Sequence, residues 1–318
     1  MLKFIAKRLL MAVPVFLIMT FALFMLSNMM PGSPVDVLTM ESELSPEARA
    51  ALERQLGLDK PLPVRYGIWI VNMLSGDMGT SIVTKNPVSS MIADRLFPTL
   101  LLTLSGILLA VVISVPLGML SAYRPYSFID NFSSFLSFIG SSAPSFFISL
   151  SLVYIFAVKL GWVPAQGMYT AGVPKTIPDL LRHLILPTFV IALHMVGNLL
   201  KQTRGSMLEV LGEDYVKTAR SKGLKEHLVL IKHTLRNALI PIVTSIGLSL
   251  PFVIGGSVVV ERIFSWPGIG TLMITSILNR DYPPIMGVAV VICVVVLVFN
   301  ILLDILYSIL DPRISYDK

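Results

Sequence analysis

Charge is what this sequence has least of. Asp, Glu, Lys and Arg make up 14% of its 318 residues, against about a quarter in soluble domains. Six stretches lack them entirely: Leu9–Met30, Leu96–Tyr123, Asn131–Val158, Leu184–Leu200, Asn237–Val260 and Tyr282–Leu303. Each is near or above the length of about 17–25 apolar residues that carries a helix across a hydrocarbon core. Unpaired backbone amides are costly in lipid, so every stretch is expected to be helical. The expected fold class is all-α: a polytopic membrane protein with six transmembrane helices. Cysteine is nearly absent too. Cys293, inside the last stretch, has no partner in the chain, so cysteine usage says nothing about redox compartment.

Several chemistries are excluded by the same kind of absence. No Gly-Lys dipeptide occurs, so the phosphate-cradling G-x-x-x-x-G-K-[ST] loop of an ATPase is missing, and any ATP hydrolysis must come from another polypeptide. The His-Glu-x-x-His pattern of a zinc peptidase is missing as well, and no metal site is expected. A proton- or sodium-driven transporter needs ionisable groups within the bilayer. Only His194 and, at the end of the last stretch, Asp304 are candidates, and both read as structural contacts. A charged ring or glycine-aromatic filter of the ion-channel kind is not seen. Gly140-Ser141-Ser142-Ala143 resembles a nucleophile motif with His194 as base, but Pro144 follows directly, and small residues in mid-span predict close helix packing instead.

The charges that are present sit unevenly. The net charge is +6, and 14 of the 25 Lys and Arg fall on the side that holds both termini in a six-span chain, eight of them between Lys201 and Arg236. Positive-inside logic places that side in the cytoplasm and accounts for the basic balance without a nucleic-acid partner. Lys3, Lys7 and Arg8 precede the first stretch as in a signal peptide. Its 22 uncharged residues, followed by Met30-Pro31-Gly32-Ser33 with no small-x-small pattern, predict a retained helix instead. The expected organisation is 1–30 as N-terminus and first helix, 31–95 as an extracytoplasmic insertion, and 96–318 as a core of five helices with a cytoplasmic loop at 201–236.

Three segments outside the stretches carry information. In the insertion, Ser45-Pro46-Glu47 opens a helix that runs through Ala48–Leu56 and ends at Gly57. Tyr66 and Trp69 suit the headgroup level. The insertion reads equally as a docking surface for an extracytoplasmic partner or as a lid packed on the helix ends. In the 201–236 loop, Glu213 and Asp214 suit a helix N-terminus, Lys217, Arg220 and Lys222 its C-terminus, and Gly223 the left-handed residue beyond it. Leu228, Ile231 and Leu235 predict a second short helix. Such a pair is stiff and transmits force, and its acidic residues favour a protein partner over an anionic lipid surface. Finally, Trp266-Pro267-Gly268 predicts backbone turning back at the membrane surface, as a gate or re-entrant segment.

Glu213-Asp214-Tyr215-Val216-Lys217-Thr218-Ala219-Arg220-Ser221-Lys222-Gly223, with His233-Thr234-Leu235-Arg236-Asn237-Ala238 and Pro241, resembles the cytoplasmic signature of binding-protein-dependent ABC importer permeases, in particular the dipeptide/oligopeptide/nickel branch. Lys217-Thr218-Ala219 and Leu235-Arg236 stand where the general signature has Glu-Ala-Ala and Leu-Pro. Met30-Pro31-Gly32-Ser33-Pro34, Leu56-Gly57-Leu58-Asp59-Lys60-Pro61-Leu62, Gly76-Asp77-Met78-Gly79-Thr80-Ser81, Arg280-Asp281-Tyr282-Pro283 and Asp311-Pro312-Arg313-Ile314 extend the likeness over the whole chain, and the long insertion resembles that of the B-type subunit. The resemblance implies a type I importer permease architecture in a bacterial inner membrane. It implies as partners a homologous second permease, two ATPase subunits that bind the ATP and magnesium, and an extracytoplasmic solute-binding protein. It makes Glu213, Asp214, Tyr215, Ala219, Arg220, Gly223, Arg236 and Asn237 the ATPase-coupling residues. Di- or oligopeptides are the expected solute, with nickel or metal chelates, glutathione and oligosaccharides as alternatives, and a membrane enzyme or stand-alone channel as the contrasting class.

Overall fold

The computed structural model describes residues 2–29, 35, 45–55 and 59–310. Met30-Pro31-Gly32-Ser33-Pro34, Leu56-Gly57-Leu58 and Asp311-Pro312-Arg313-Ile314 lie outside the described residues. The helices are α1 (Leu2–Met29), α2 (Pro46–Gln55), α3 (Leu62–Leu74), α4 (Val88–Tyr123), α5 (Phe128–Ser142), α6 (Ser145–Leu152), α7 (Ile177–Leu211), α8 (Asp214–Ser221), α9 (Glu226–Leu228), α10 (Arg236–Ile263), α11 (Ile269–Leu278) and α12 (Tyr282–Leu310). Single π-helical segments extend α6 over Val153–Lys159 and join α9 to α10 over Val229–Leu235. Among the described residues the only β pairing is an isolated bridge between Thr80 and Pro87.

Four helices are long and apolar enough to cross a membrane, within Ala6–Met29, Val88–Tyr123, Ile177–Leu211 and Tyr282–Tyr307. Helix α10, 28 residues long, occupies the fifth expected stretch. In the most apolar window of α1 only 11% of the residues are buried, and Leu10 and Ile18 are largely exposed. A surface of that kind is stable against lipid, not water. The chain is therefore a multi-pass membrane protein.

One expected span is corrected. Asn131–Val158 is not a single helix: it breaks at Ala143-Pro144, and the two halves meet at 105°. Pro144 has no N–H to continue the hydrogen-bond ladder, and its ring disfavours the α region for the preceding residue. Ala143 accordingly lies at φ −78°, ψ 128°.

The chain divides into two compact units. The first comprises Met1–Ile5, Thr99–Trp266 and Val298–Lys318. Its centre is α7, whose Val190, Ile191, Met195, Val196 and Leu200 are buried with Leu102, Val260, Phe264 and Trp266. Helix α5 approaches α7 at Gly140 and Gly197. A Cβ on Gly197 would stand 2.6 Å from the Ser141 nitrogen, one on Gly140 would collide with the Leu193 carbonyl oxygen, and the Ser137 hydroxyl donates to the Gly197 carbonyl. The glycine-serine motif is thus a packing device. Gly140→Val is expected to abolish accumulation of folded protein, whereas Ser142→Ala leaves transport unchanged; immunoblotting of membranes and uptake assays check both outcomes.

The second unit comprises Ala6–Pro98 and Pro267–Leu297, so most of the first helix falls in one compact unit with the insertion. Ser45 opens α2 by accepting the Ala48 N–H at 3.2 Å. Helix α3 lies on α1: Tyr66 stands edge-on to Phe21 at 5.2 Å, and its hydroxyl donates to the Leu17 carbonyl at 3.1 Å. Trp69 packs with Phe24 at 5.7 Å. These two aromatics are a helix–helix contact. The turn between Thr80 and Pro87 is held by Asp281, 97% buried, whose carboxylate accepts the Ser81 hydroxyl and the Ile82 N–H, the latter at 2.8 Å.

Candidate functional site

Helix α8 is about two turns of mostly polar sequence that stays helical because one edge is anchored. Val216 and Ala219, three residues apart and so on one face, are buried with Val229 against Val210 and Leu211. Ala219 therefore faces the protein's own body. Asp214, Tyr215 and Arg220 are exposed, as is Glu213 just before the helix. Lys217 donates to Asp214 at 2.8 Å, which holds the Asp214 carboxyl below, and the Lys217 ammonium above, its ordinary range. Both are surface groups, and the pair fixes orientation more than stability.

Beyond the helix the chain reverses at Gly223, with φ +76°, a conformation that a Cβ disfavours. The Gly223 N–H donates to the Arg220 carbonyl at 2.9 Å, closing the end of α8. The reversal is braced by side chains. The Arg220 guanidinium reaches Glu226 at 2.7 Å across the turn. The Asn237 amide donates to the Tyr215 hydroxyl at 3.0 Å and to the His233 carbonyl at 2.9 Å. Helix α8 is thereby linked to α9 and to the start of α10 as one stiff piece. The second short helix expected after Lys225 is instead α9 and its π segment running directly into α10. There the Thr234 hydroxyl donates to the Val229 carbonyl five residues back at 3.1 Å. Arg236 stands exposed at the first position of α10.

At the other selected segment, the Trp266 side chain is fully buried, and the Trp266 backbone N–H donates to the Glu261 carbonyl at 2.8 Å. The adjoining Phe264 carbonyl accepts the Gly167 N–H at 2.7 Å, so the loop after the broken helix is fastened to this turn. Ser265 has φ +49°. Pro267 and Gly268 then lead into α11, ten apolar residues, about 15 Å long at helical rise and too short to span.

Sequence reasoning missed one cluster. Asp130, 96% buried, accepts a two-pronged bond from Arg204, with Nε to Oδ1 at 2.7 Å and Nη2 to Oδ2 at 2.9 Å. Its carboxylate also takes the Ser121 hydroxyl and the Tyr126 N–H. One carboxylate thus joins the end of α4, the following turn, the start of α5 and the last two turns of α7. Ser127 caps α5 by accepting the Asp130 N–H at 3.3 Å, and that Ser-x-x-Asp spacing was the available signal. Arg204 alone read as one more basic loop residue. Because α7 continues from Arg204 to Leu211 and α8 begins three residues later, Arg204 stands between the stiff α8 piece and the bundle.

Two family models cover nearly all of the chain. The inner-membrane component of binding-protein-dependent transport systems matches residues 114–316, and the N-terminal part of such membrane components matches residues 1–103. The oligopeptide transport system permease protein AppB of Bacillus subtilis (strain 168) is 48% identical over 317 residues, 99% of this chain and 100% of that one. A putative peptide permease protein of Brucella suis biovar 1 is 43% identical over 99% of both chains. The glutathione transport system permease protein GsiC of Salmonella typhimurium is 38% identical over 99% of this chain and 100% of that one. Among solved structures, an inward-facing conformation of the MetNI methionine ABC transporter matches with a TM-score of 0.55 at 18% identity, covering 70% of this chain and 96% of that one, a likeness of fold. Family models, relatives matched end to end and an all-helical fold agree: the chain belongs to the binding-protein-dependent ABC transport system inner-membrane components, a permease subunit and not an enzyme.

Proposed function

We propose that this chain is one of two homologous permease subunits of an ATP-driven importer of di- or oligopeptides, both termini cytoplasmic, with two ATPase subunits, one of them bound at α8, and an extracytoplasmic binding protein delivering solute. The observation that carries the reading is α8 itself. It is pinned inward by Val216 and Ala219, exposes Asp214, Tyr215 and Arg220, and is locked to the start of α10 by Asn237. A partner gripping that outer face moves α10 with it, whereas a flexible loop would absorb the motion. ATP and magnesium belong to the partner subunits; closure of the ATPase pair draws the coupling helices together and opens the bundle outward, with Trp266, Pro267 and Gly268 at the gate. Such a scheme works only if each partner prefers one of the two states. The peptide class is supported by the names of the oligopeptide and peptide permeases to which the chain is similar. Glutathione, itself a tripeptide, is the second reading, supported by the GsiC likeness.

The test is co-purification and uptake. The chain expressed with its partners retains the ATPase subunits and imports peptide in the presence of the binding protein. Asp214→Lys combined with Tyr215→Ala, on the outer face of α8, lowers ATPase retention by about tenfold or more, as loss of a central aromatic and charge contact does. Unchanged retention, or peptide uptake by the chain alone in liposomes, overturns the proposal.

A further inference from the structure

Between α7 and α10, within the first unit, lies an open groove of about 570 Å³. Its polar lining is Asn198 and Gln202 from α7 and Thr244, Ser245 and Ser249 from α10, set among the apolar Ile240, Pro241 and Leu248 of the same helix. No lining residue is ionisable. Asn198 and Gln202 are one turn apart, and Pro241, Thr244, Ser245 and Ser249 repeat at three- and four-residue spacing, so each helix turns one stripe to the groove. Asn198 and Gln202 are exposed in the isolated chain. The Asn198 amide has no hydrogen-bond partner among the described residues, and Gln202 gives only one long bond, to Ser206 at 3.3 Å.

Carboxamides left bare to hydrocarbon are costly, so this face meets water or polar groups rather than lipid tails. Donors and acceptors are both on offer. The Thr244 and Ser249 hydroxyls spend their protons on the Ile240 and Ser245 carbonyls of their own helix, at 2.9 and 2.8 Å, which leaves oxygen lone pairs free as acceptors. Asn198 supplies N–H donors and a carbonyl. A peptide group presents the complementary pair. From Pro241 to Ser249 the stripe rises about 12 Å, which is about three or four residues of extended chain. The geometry points to this groove as the subunit's solute-contacting wall, recognising the main-chain amides of a short extended peptide and indifferent to the charge of its side chains. The inference rests on the import reading above and adds to it the contact residues and the basis of selectivity.

The experiment uses the assembled transporter in proteoliposomes, with the single native cysteine removed by Cys293→Ser and a reporter introduced by Ser245→Cys. A charged, membrane-impermeant methanethiosulfonate reagent labels the reporter, while Val112→Cys on α4, exposed in an apolar stretch, stays unlabelled. Trialanine slows the labelling, and tripeptides carrying acidic or basic side chains slow it equally. Asn198→Asp, isosteric but charged, creates a preference that the parent lacks: uptake of the acidic tripeptide falls about tenfold relative to the basic one, as a charge at a few ångströms demands. A reporter that stays unreactive in a complex still importing trialanine assigns the groove to the interface with another subunit and overturns the inference. So does labelling that no peptide slows, or an Asn198→Asp variant without charge preference. If the parent complex imports no peptide at all while hydrolysing ATP, the import reading fails instead, and the labelling still decides whether the groove is a water-filled wall.

Discussion

Replacing Gly223 by proline is expected to leave the protein in the membrane while cutting ATP-driven uptake by about five- to a hundredfold. The residue sits at φ +76° and donates its N–H to Arg220. Proline holds φ near −65° and has no N–H to donate. The reversal after α8 therefore cannot form as it stands, and the brace from Arg220 to Glu226 across it loses its geometry. Enforcing strained backbone costs about 1–3 kcal/mol. That lowers the population of correctly placed coupling helix by about five- to a hundredfold, and the apparent affinity for a partner that needs it falls in proportion. The helical bundle is untouched, so insertion and accumulation persist. Gly223→Ala, which keeps the N–H, lies between the two. Uptake and ATP hydrolysis measured together in proteoliposomes check the outcome: hydrolysis without matching uptake is expected, and normal uptake in the proline variant removes the coupling role from this helix.

The second large effect belongs to Arg204. Arg204→Leu strips the charge partner from Asp130, leaving a nearly enclosed carboxylate with only the Ser121 and Tyr126 donors. Breaking a buried pair from one side costs about 3–5 kcal/mol; Arg204 is itself partly solvated, so the lower figure applies. A fall of several degrees in the unfolding temperature of the detergent-solubilised chain is the expected reading. Arg204→Lys restores the charge but not the two-pronged geometry and recovers only part of the loss. Asp130→Asn in the Arg204→Leu background removes the stranded charge and recovers more. If the cluster also positions α8 through α7, the Lys variant shows a lower ratio of peptide imported to ATP hydrolysed at unchanged ATPase retention. A purely structural role moves the unfolding temperature alone.

These two sites differ in how readable they were. The α8 site is local in sequence: an acidic start, basic residues after it and a terminal glycine fix a short helix and its stop within eleven residues, from Glu213 to Gly223. The Asp130 cluster draws on residues 74 positions apart, and only packing of α5 on α7 through Gly140 and Gly197 brings them within bonding distance. The same distinction explains Ala219. Its place in the family-like signature suggested an outward role, but helical spacing from Val216 puts it on the anchored edge. Tyr66 and Trp69 suited a headgroup level by composition alone, whereas the structure packs them edge-on and tilted against Phe21 and Phe24 of α1, because an aromatic ring gains from any apolar neighbour within reach.

What the sequence determined by itself is the solvent and the local backbone. Stretches without charge demand helices in lipid, since no other backbone satisfies its amides there, and Gly223 demands a reversal because a side chain would resist it. Pro144 was equally visible, yet a proline in an apolar run permits either a kink or a full break, and the choice depends on what the second half packs against. The tertiary structure decided the 105° turn, the grouping of the first helix from Ala6 onward with the insertion and 267–297, the Asp130 staple and the groove between α7 and α10 with its row of uncharged polar groups. In lipid the hydrophobic pattern no longer says which face of a helix turns inward, because tails and neighbouring helices are equally apolar. Small residues, paired charges and stray carboxamides select the faces, and they act only once the helices have met.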